Sequence, residues 1–404
     1  MSTSELYHEF GIRGYQHEQT MRSGGATTFV ISQPRHCLRC PHCGSPEVER
    51  RGEVIRRFRL LPIGRRRIEA VLPVARVHCS RCDFIRQVKV GFADEHRRYA
   101  RNFERYVLDL SRAMTIDAVA KHVQVGWDVV KEIQKRHLQK HYARPRLKYL
   151  KEIAIDEISI GKGNKFLSVV LDLKSGAVVF IGNGKGSEAL LPFWKKLRAS
   201  GAKVRAVAID MSQAYTKAVR ENLKDAVLVY DHFHVIKLYN EKLTELRRDL
   251  YREAKEGLQK DVLQGIRWLL LKNPENLNPL KREAEKLEAA LVLNKTLFFA
   301  YYMKEDLRMI WALGDKRSAR KYLESWIRTA EASGIRMLKS FARTLAAHRE
   351  GILAWYDYPI STGPLEGTNN KIKTMKRQAY GFRDIEFLKL KIMAIHEATY
   401  ALVG

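Results

Sequence analysis

The chain lacks any run near the roughly 18 apolar residues of a membrane-spanning helix, so no membrane span is expected. Its opening, Met1-Ser-Thr-Ser-Glu-Leu-Tyr-His-Glu-Phe10, has neither a basic start nor an apolar centre. A secretory signal is therefore not expected there, and the protein reads as cytosolic. Cysteine is scarce, with 5 in 404 residues, all between Cys37 and Cys82. A cytosolic chain does not use such a set as a disulfide framework. Acid is short too: 45 Asp and Glu face 73 Lys and Arg, a net charge of +28. The basic excess is spread along the chain, which suits a polyanionic partner, nucleic acid above all.

What is present is a globular composition, 45% hydrophobic and 29% charged, long enough for two to four domains. Cys40-Pro-His-Cys43-Gly44 and Cys79-Ser-Arg-Cys82 are two CxxC loops with 35 residues between them. Each loop turns two sulfurs toward one point, and two loops complete a tetrahedral site for one structural Zn²⁺. Arg56–Ile63 and Arg67–Val74 alternate enough to be short strands between the loops, a zinc-ribbon pattern. Cys37 forms a further CxxC with Cys40; Gly44 favours the Cys40–Cys43 pair, and Cys37 stays open as a ligand. Thr27–Ser32 reads as one more strand.

Residues 101–140 carry helical periodicity. Ile116, Val119, Ala120 and Val123 form one stripe, with Thr115 as its cap. A break at Gln124-Val-Gly126 precedes a second helix from Trp127, which is helix-turn-helix spacing. That second helix is expected to offer Lys131, Gln134 and Lys135 to a DNA groove.

From Glu152 the pattern changes to βββαβαβ: strands near 152–160, 165–173, 177–181, 204–209 and 226–230, with helices near 187–199 and 212–223. Tight turns join the first three strands, so the expected core is a mixed sheet with helices on its faces, the order of a ribonuclease-H-like fold. Residues 232–349 read as almost wholly helical, interrupted at Asn273–Pro279. The aromatics Phe298–Tyr302 and Trp311 are expected in the core of that insertion.

Asp156 lies in the first strand and Asp210 at the end of the fourth. Those strands are neighbours in this fold class. Two bare carboxylates held close repel, and hard Mg²⁺ or Mn²⁺ removes that cost. Asp231, after the fifth strand, is the rival to Asp210. Asp172 and Asp225 read as turn residues. Glu366 stands in the first turn of a helix starting at Ser361-Thr-Gly-Pro364. Glu366, Asn370, Lys373 and Arg377 share one face of it, with Lys376 beside them; Ile372, Met375 and Ala379 are expected to face the core. An acid there either favours the helix start or holds a metal while the amide and cations hold phosphate. The second reading joins Glu366 to the two aspartates.

At these residues the chain resembles the DDE transposases of bacterial insertion sequences, and among them the ISL3 family. The likeness includes the two CxxC loops, Thr115–Ala120, Ala154-Ile-Asp-Glu157, Ala208–Ser212, Tyr230–Lys237, and most specifically Glu366–Lys373 continuing to Lys376–Phe382. The resemblance implies a triad of Asp156, Asp210 and Glu366 binding two Mg²⁺ or Mn²⁺ ions. It implies supporting roles for Asp231 and His234, and a helical insertion between the second acid and the third. It implies binding of terminal inverted repeats in double-stranded DNA, cleavage, strand transfer into target DNA, and a homodimer or larger assembly in a bacterial cytoplasm. One departure is Gln124, where the family's turn has Gly. The expected layout is a zinc ribbon over 1–92, a helix-turn-helix domain over 93–148, catalytic core over 149–235 and 351–404, and a helical insertion over 236–350. A DNA-binding regulator, or a nuclease without strand transfer, would share much of this pattern.

Overall fold

A computed structural model of the chain describes residues 3–161, 163, 165–254 and 258–396, with side chains except at 3–4 and 258–261. It divides into two compact units, Met1–Ala143 with Gln378–Gly381, and Arg144–Arg377 with Phe382–Gly404.

The first unit opens with α1 (Thr3–Phe10) and is built on a five-stranded sheet: β1 (Gln16–Ser23), β2 (Ala26–Ser32), β3 (Val48–Arg59), β4 (Arg67–Cys79) and β5 (Phe84–Gln87). The order is β1-β2-β4-β3, with β5 also paired to β4. Every second residue of β4 from Ile68 to Val74 is buried, the period-2 signature of a strand with one face on a core. The two strands expected to be short are 12 and 13 residues long. Charged residues on the exposed side of β3 hid its length. The β3/β4 hairpin pairs Val48 with Cys79, so both CxxC loops reach the same end of the sheet.

The same unit holds α2 (Arg101–Leu110), α3 (Ile116–Val123) and α4 (Trp127–Tyr142), packed through Phe103, Val107, Val119, Val123, Val130 and Ile133. Thr115 caps α3, its hydroxyl accepting from Ala118 N–H at 3.2 Å. Gln124 takes the left-handed conformation (φ 56°, ψ 53°) that the turn requires, despite its side chain. Arg59, at the end of β3, donates to Val123 O at 2.8 Å and ties the sheet to these helices.

The second unit is a mixed sheet of β6 (Glu152–Ser159), β7 (Phe166–Asp172), β8 (Val178–Asn183), β9 (Ala206–Ile209) and β10 (Val227–Tyr230), in the order β10-β9-β6-β7-β8. β6, β7 and β8 pair antiparallel, whereas β9 runs parallel to both β6 and β10. The helices α5 (Leu191–Ser200) and α6 (Gln213–Asn222) make the two crossovers. Strand order and connections match the expected ribonuclease-H-like core.

One face of this sheet, through Ile153, Ile155, Val207 and Tyr230, shares a continuous core with the helical segment, including Tyr239, Leu243, Trp326 and Leu345. That segment comprises α7 (His232–Glu253), α8 (Leu258–Gly265), α9 (Glu283–Val292), α10 (Lys295–Met309), α11 (Lys316–Ala332) and α12 (Arg336–Leu353). Tyr301 is buried, but Phe298 and Tyr302 are 44% and 48% exposed, contrary to their expected place in the core. α12 lies against β10 so closely that a Cβ on Gly351 would sit 2.4 Å from the Tyr230 ring. The opposite face, Ala154, Ile158, Val169 and Ala208, is covered by α13 (Gly363–Gln378) and α14 (Ile385–Met393) through Leu365, Ile372, Leu388 and Ile392. Ala379 lies beyond the end of α13 and is exposed, so it does not join that core as expected. Among the described residues, no helix is long and apolar enough to cross a membrane.

Candidate metal centre and candidate active site

The sulfur atoms of Cys40, Cys43, Cys79 and Cys82 lie within 4.8 Å of one another, with Cys40–Cys82 and Cys43–Cys79 both at 3.6 Å. Thiolates about 2.3 Å from a tetrahedral ion stand about 3.8 Å apart, so the spacing suits one metal and is far beyond a disulfide bond. The loops are built alike. Gly44 N–H donates to Cys40 O at 3.0 Å and Asp83 N–H to Cys79 O at 2.9 Å, and Gly44 and Asp83 both have positive φ. Backbone N–H groups of Cys43 and His42 help bring the Cys40 thiol down to about 6, toward the thiolate a metal binds. Desolvation, with hydrogen bonds from its cysteine neighbours, pushes the Cys82 thiol up to about 12. Cys37 lies outside the cluster.

In the second unit, strand register positions the aspartates. Ala154 of β6 is level with Ala208 of parallel β9. Asp156 and Asp210, the latter just past the end of β9, each follow by two residues and so share the parity of Ala154 and Ala208 on the face covered by α13. Asp156 Oδ1 accepts from Glu157 N–H at 2.7 Å and Oδ2 from Asn369 Nδ2 at 2.8 Å. Desolvation raises its pKa, and the Asp210 charge adds to the rise. Asp210 Oδ1 accepts from Ser212 N–H at 3.0 Å. Among the described residues, only the four cysteines form a ready cluster of three or more metal-ligating groups. Glu366 is exposed in the first turn of α13, sharing its outward face with Asn370, Lys373 and Arg377.

Asp231 is spent differently. Only 1% exposed, it caps α7, pairs with His234 Nδ1 at 3.0 Å and accepts from Thr362 Oγ1 at 2.5 Å. Burial would raise its pKa, but the hydrogen bonds from His234 and Thr362 outweigh it and hold the carboxyl low. The hydrogen bond to Asp231 raises the His234 pKa, with smaller contributions from the Asp156 and Asp210 charges. Thr362 and Asn369 were not singled out from sequence. Asn369 had a signal: Leu365, Asn369 and Ile372 fall at i, i+4 and i+7, the buried stripe of α13.

The expected DNA-facing residues separate. Gln134 is 2% exposed and donates to Ser111 Oγ at 2.8 Å, so it points into the helical core and not toward a groove. Lys131 and Lys135 are half-buried, each with a partner. Lys376 Nζ donates to Ser159 O at 3.3 Å, which braces α13 against β6.

The mixed sheet with helices on both faces is consistent with a ribonuclease-H-like core, the class of fold that DDE enzymes use. Residues 153–392 match the family of DDE domains from ISL3 described as "Transposase", and residues 88–138 match the "Helix-turn-helix domain of transposase family ISL3". The chain is 31% identical over 390 residues to the "Transposase for insertion sequence element IS1001" of Bordetella parapertussis, covering 95% of this chain and 96% of that protein. It is 28% identical over 404 residues to the "Transposase for insertion sequence element IS1557" of Mycobacterium tuberculosis, covering 93% and 90%. The "Drosophila P element transposase strand transfer complex" overlaps 73% of this chain at a TM-score of 0.41 and 10% identity, too loose a likeness to argue from. The chain belongs to the ISL3 family of DDE transposases of bacterial insertion sequences.

Proposed function

We propose that this transposase binds the terminal inverted repeats of its insertion sequence, cleaves at their ends and joins the freed strands to target DNA, with Asp156, Asp210 and Glu366 as its metal-holding acids. The observation that carries the reading is the β6/β9 register, in which Ala154 is level with Ala208 and an aspartate follows each by two residues, with α13 on the same face of the sheet. An all-oxygen donor set beside a desolvated carboxyl suits Mg²⁺ or Mn²⁺. When bound, two such cations would acidify the attacking water or 3′-OH and neutralise charge on the scissile phosphate. Asp210 is favoured over Asp231 because Asp231 is enclosed and its oxygens are engaged by His234, Thr362 and the α7 N-terminus.

The remaining residues do what their positions allow. Asn370, Lys373 and Arg377 continue the Glu366 face and hold backbone phosphate. Asp231 and His234 anchor Thr362, four residues before Glu366, and so set where α13 begins. The cysteine cluster holds one structural Zn²⁺. The helices over 93–148 contact the duplex, with Lys131 and Lys135 on backbone phosphate. The core over 149–235 and 351–404 carries the chemistry, and the helices over 236–350 buttress its other face. Two ends must be processed together, so the working form is a homodimer or larger assembly on DNA.

The test is cleavage, in Mg²⁺, of a duplex carrying the element's own terminal repeat. D156A, D210A and E366A should each lose cleavage by at least about 10³-fold and keep end binding. Full cleavage by D210A, with none by D231A, would transfer the second position to Asp231. Binding without cleavage by the unaltered chain would favour a regulator.

A further inference from the structure

Asn369 is 6% exposed and lies one turn after Glu366 on α13. Its amide faces Asp156 across 213 positions of sequence. An ionised carboxylate only accepts hydrogen bonds, so the arm presented to Asp156 is the Nδ2 donor. The other arm, Oδ1, is buried and has no protein partner. A buried amide oxygen without a donor is costly and rare. Here it stands beside the carboxylate proposed to hold a cation. Asp156 Oδ1 is already occupied by Glu157 N–H, so the Asn369 amide completes the restraint on that carboxylate's orientation.

We infer that Asn369 is a positioning residue of the active site. Its Nδ2 holds Asp156 in one rotamer and keeps α13, with Glu366, in register against β6. Its Oδ1 accepts from a water in the cation's hydration shell. Each carboxylate oxygen has two lone-pair positions, so the amide can stay on Asp156 Oδ2 while the carboxylate binds metal. The neighbouring Asn370 is exposed and plays no part in this restraint. The inference rests on Asp156 being a metal-holding acid, and the test separates the two ideas.

The experiment uses the full chain, zinc-loaded and bound to a duplex carrying the element's terminal repeat. Mn²⁺ alone is titrated and followed by electron paramagnetic resonance, with cleavage blocked by a non-hydrolysable linkage at the scissile position. N369A and the near-isosteric N369L are both expected to weaken Mn²⁺ binding about 10- to 100-fold, the usual effect of losing a partner that orients a metal ligand. T374A, at an exposed position of the same helix, should leave Mn²⁺ affinity unchanged. D156A should lose the site. A merely structural role for Asn369 would lower the melting temperature of N369A and leave the Mn²⁺ affinity of folded N369L at its original value. That result, with D156A still losing the site, would overturn the inference and spare the proposed acids. Unchanged Mn²⁺ binding by D156A would overturn both.

Discussion

The two candidate metal sites are assembled on opposite principles. The four cysteines converge on one point from two loops of like geometry at the end of a single hairpin. Thiols are neutral when protonated, so they tolerate that crowding before a metal arrives. The carboxylates come from β6, from the residue just after β9 and from α13; the sheet sets Ala154 level with Ala208, and Asp156 and Asp210 each follow by two residues. Desolvation raises the Asp156 pKa, and repulsion from the Asp210 charge adds to the rise. The first arrangement is one that a single metal ion would staple. The second leaves an ionised Asp156 that its surroundings disfavour, at some cost in stability.

Ligand removal should therefore act in opposite directions at the two sites. C79S, or stripping zinc with a chelator, should destabilise the first unit by more than about 4 kcal/mol. Calorimetry should show that unit's transition fall while the second unit's stays in place. T362V keeps the shape but removes the buried donor to Asp231, and should cost the second unit about 1.5–3 kcal/mol in urea unfolding. D156N should do the reverse and stabilise the second unit by about 1 kcal/mol in Mg²⁺-free buffer while abolishing cleavage. The Asn369 amide can turn to offer its unpartnered Oδ1 to the new amide. A fall in melting temperature for D156N would break the contrast.

Protonation sharpens the same comparison. The folded pKa of His234 is raised, so it contributes stability that is complete below about pH 6.5 and lost as pH rises through the folded value. Asp231 is depressed and contributes stability above about pH 3.9, lost as pH falls through its folded value. The second unit should therefore grow more stable as pH falls from 8 to 6.5, and H234Q should flatten that slope. The smallest effect lies away from both sites. Q124G relieves a left-handed non-glycine residue and should stabilise the first unit by about 1 kcal/mol.

Much of the second unit was legible because its strands are short, apolar and separated by turn residues. The expected order made β6 and β9, the strands that lead to Asp156 and Asp210, neighbours, and the cysteine spacing identified the four residues that cluster. The misreadings share a cause. Gln134 lies next to Ile133 and four residues after Val130, inside the buried arc of α4, but a polar side chain at such a place looks like a surface residue. Its partner Ser111 stands just past the end of α2. Ala379 was placed by extending a helical wheel past the point where α13 stops. On α13, the choice between Asn369 and Asn370 turned on helix phase, and the buried neighbours Leu365 and Ile372 resolve it.

The sequence by itself determined the charge, the spacing of the four clustered cysteines, the strand order and the parity that Asp156 and Asp210 share with Ala154 and Ala208. These depend on local periodicity and on chirality, which act over a few residues. Only the tertiary structure decided that Asp231, already paired locally with His234, also takes the Thr362 hydroxyl, and that Asn369 reaches Asp156. Those contacts span 131 and 213 positions. Buried hydrogen bonds at that separation depend on how helices lie on the sheet, and no local pattern of residues encodes that packing.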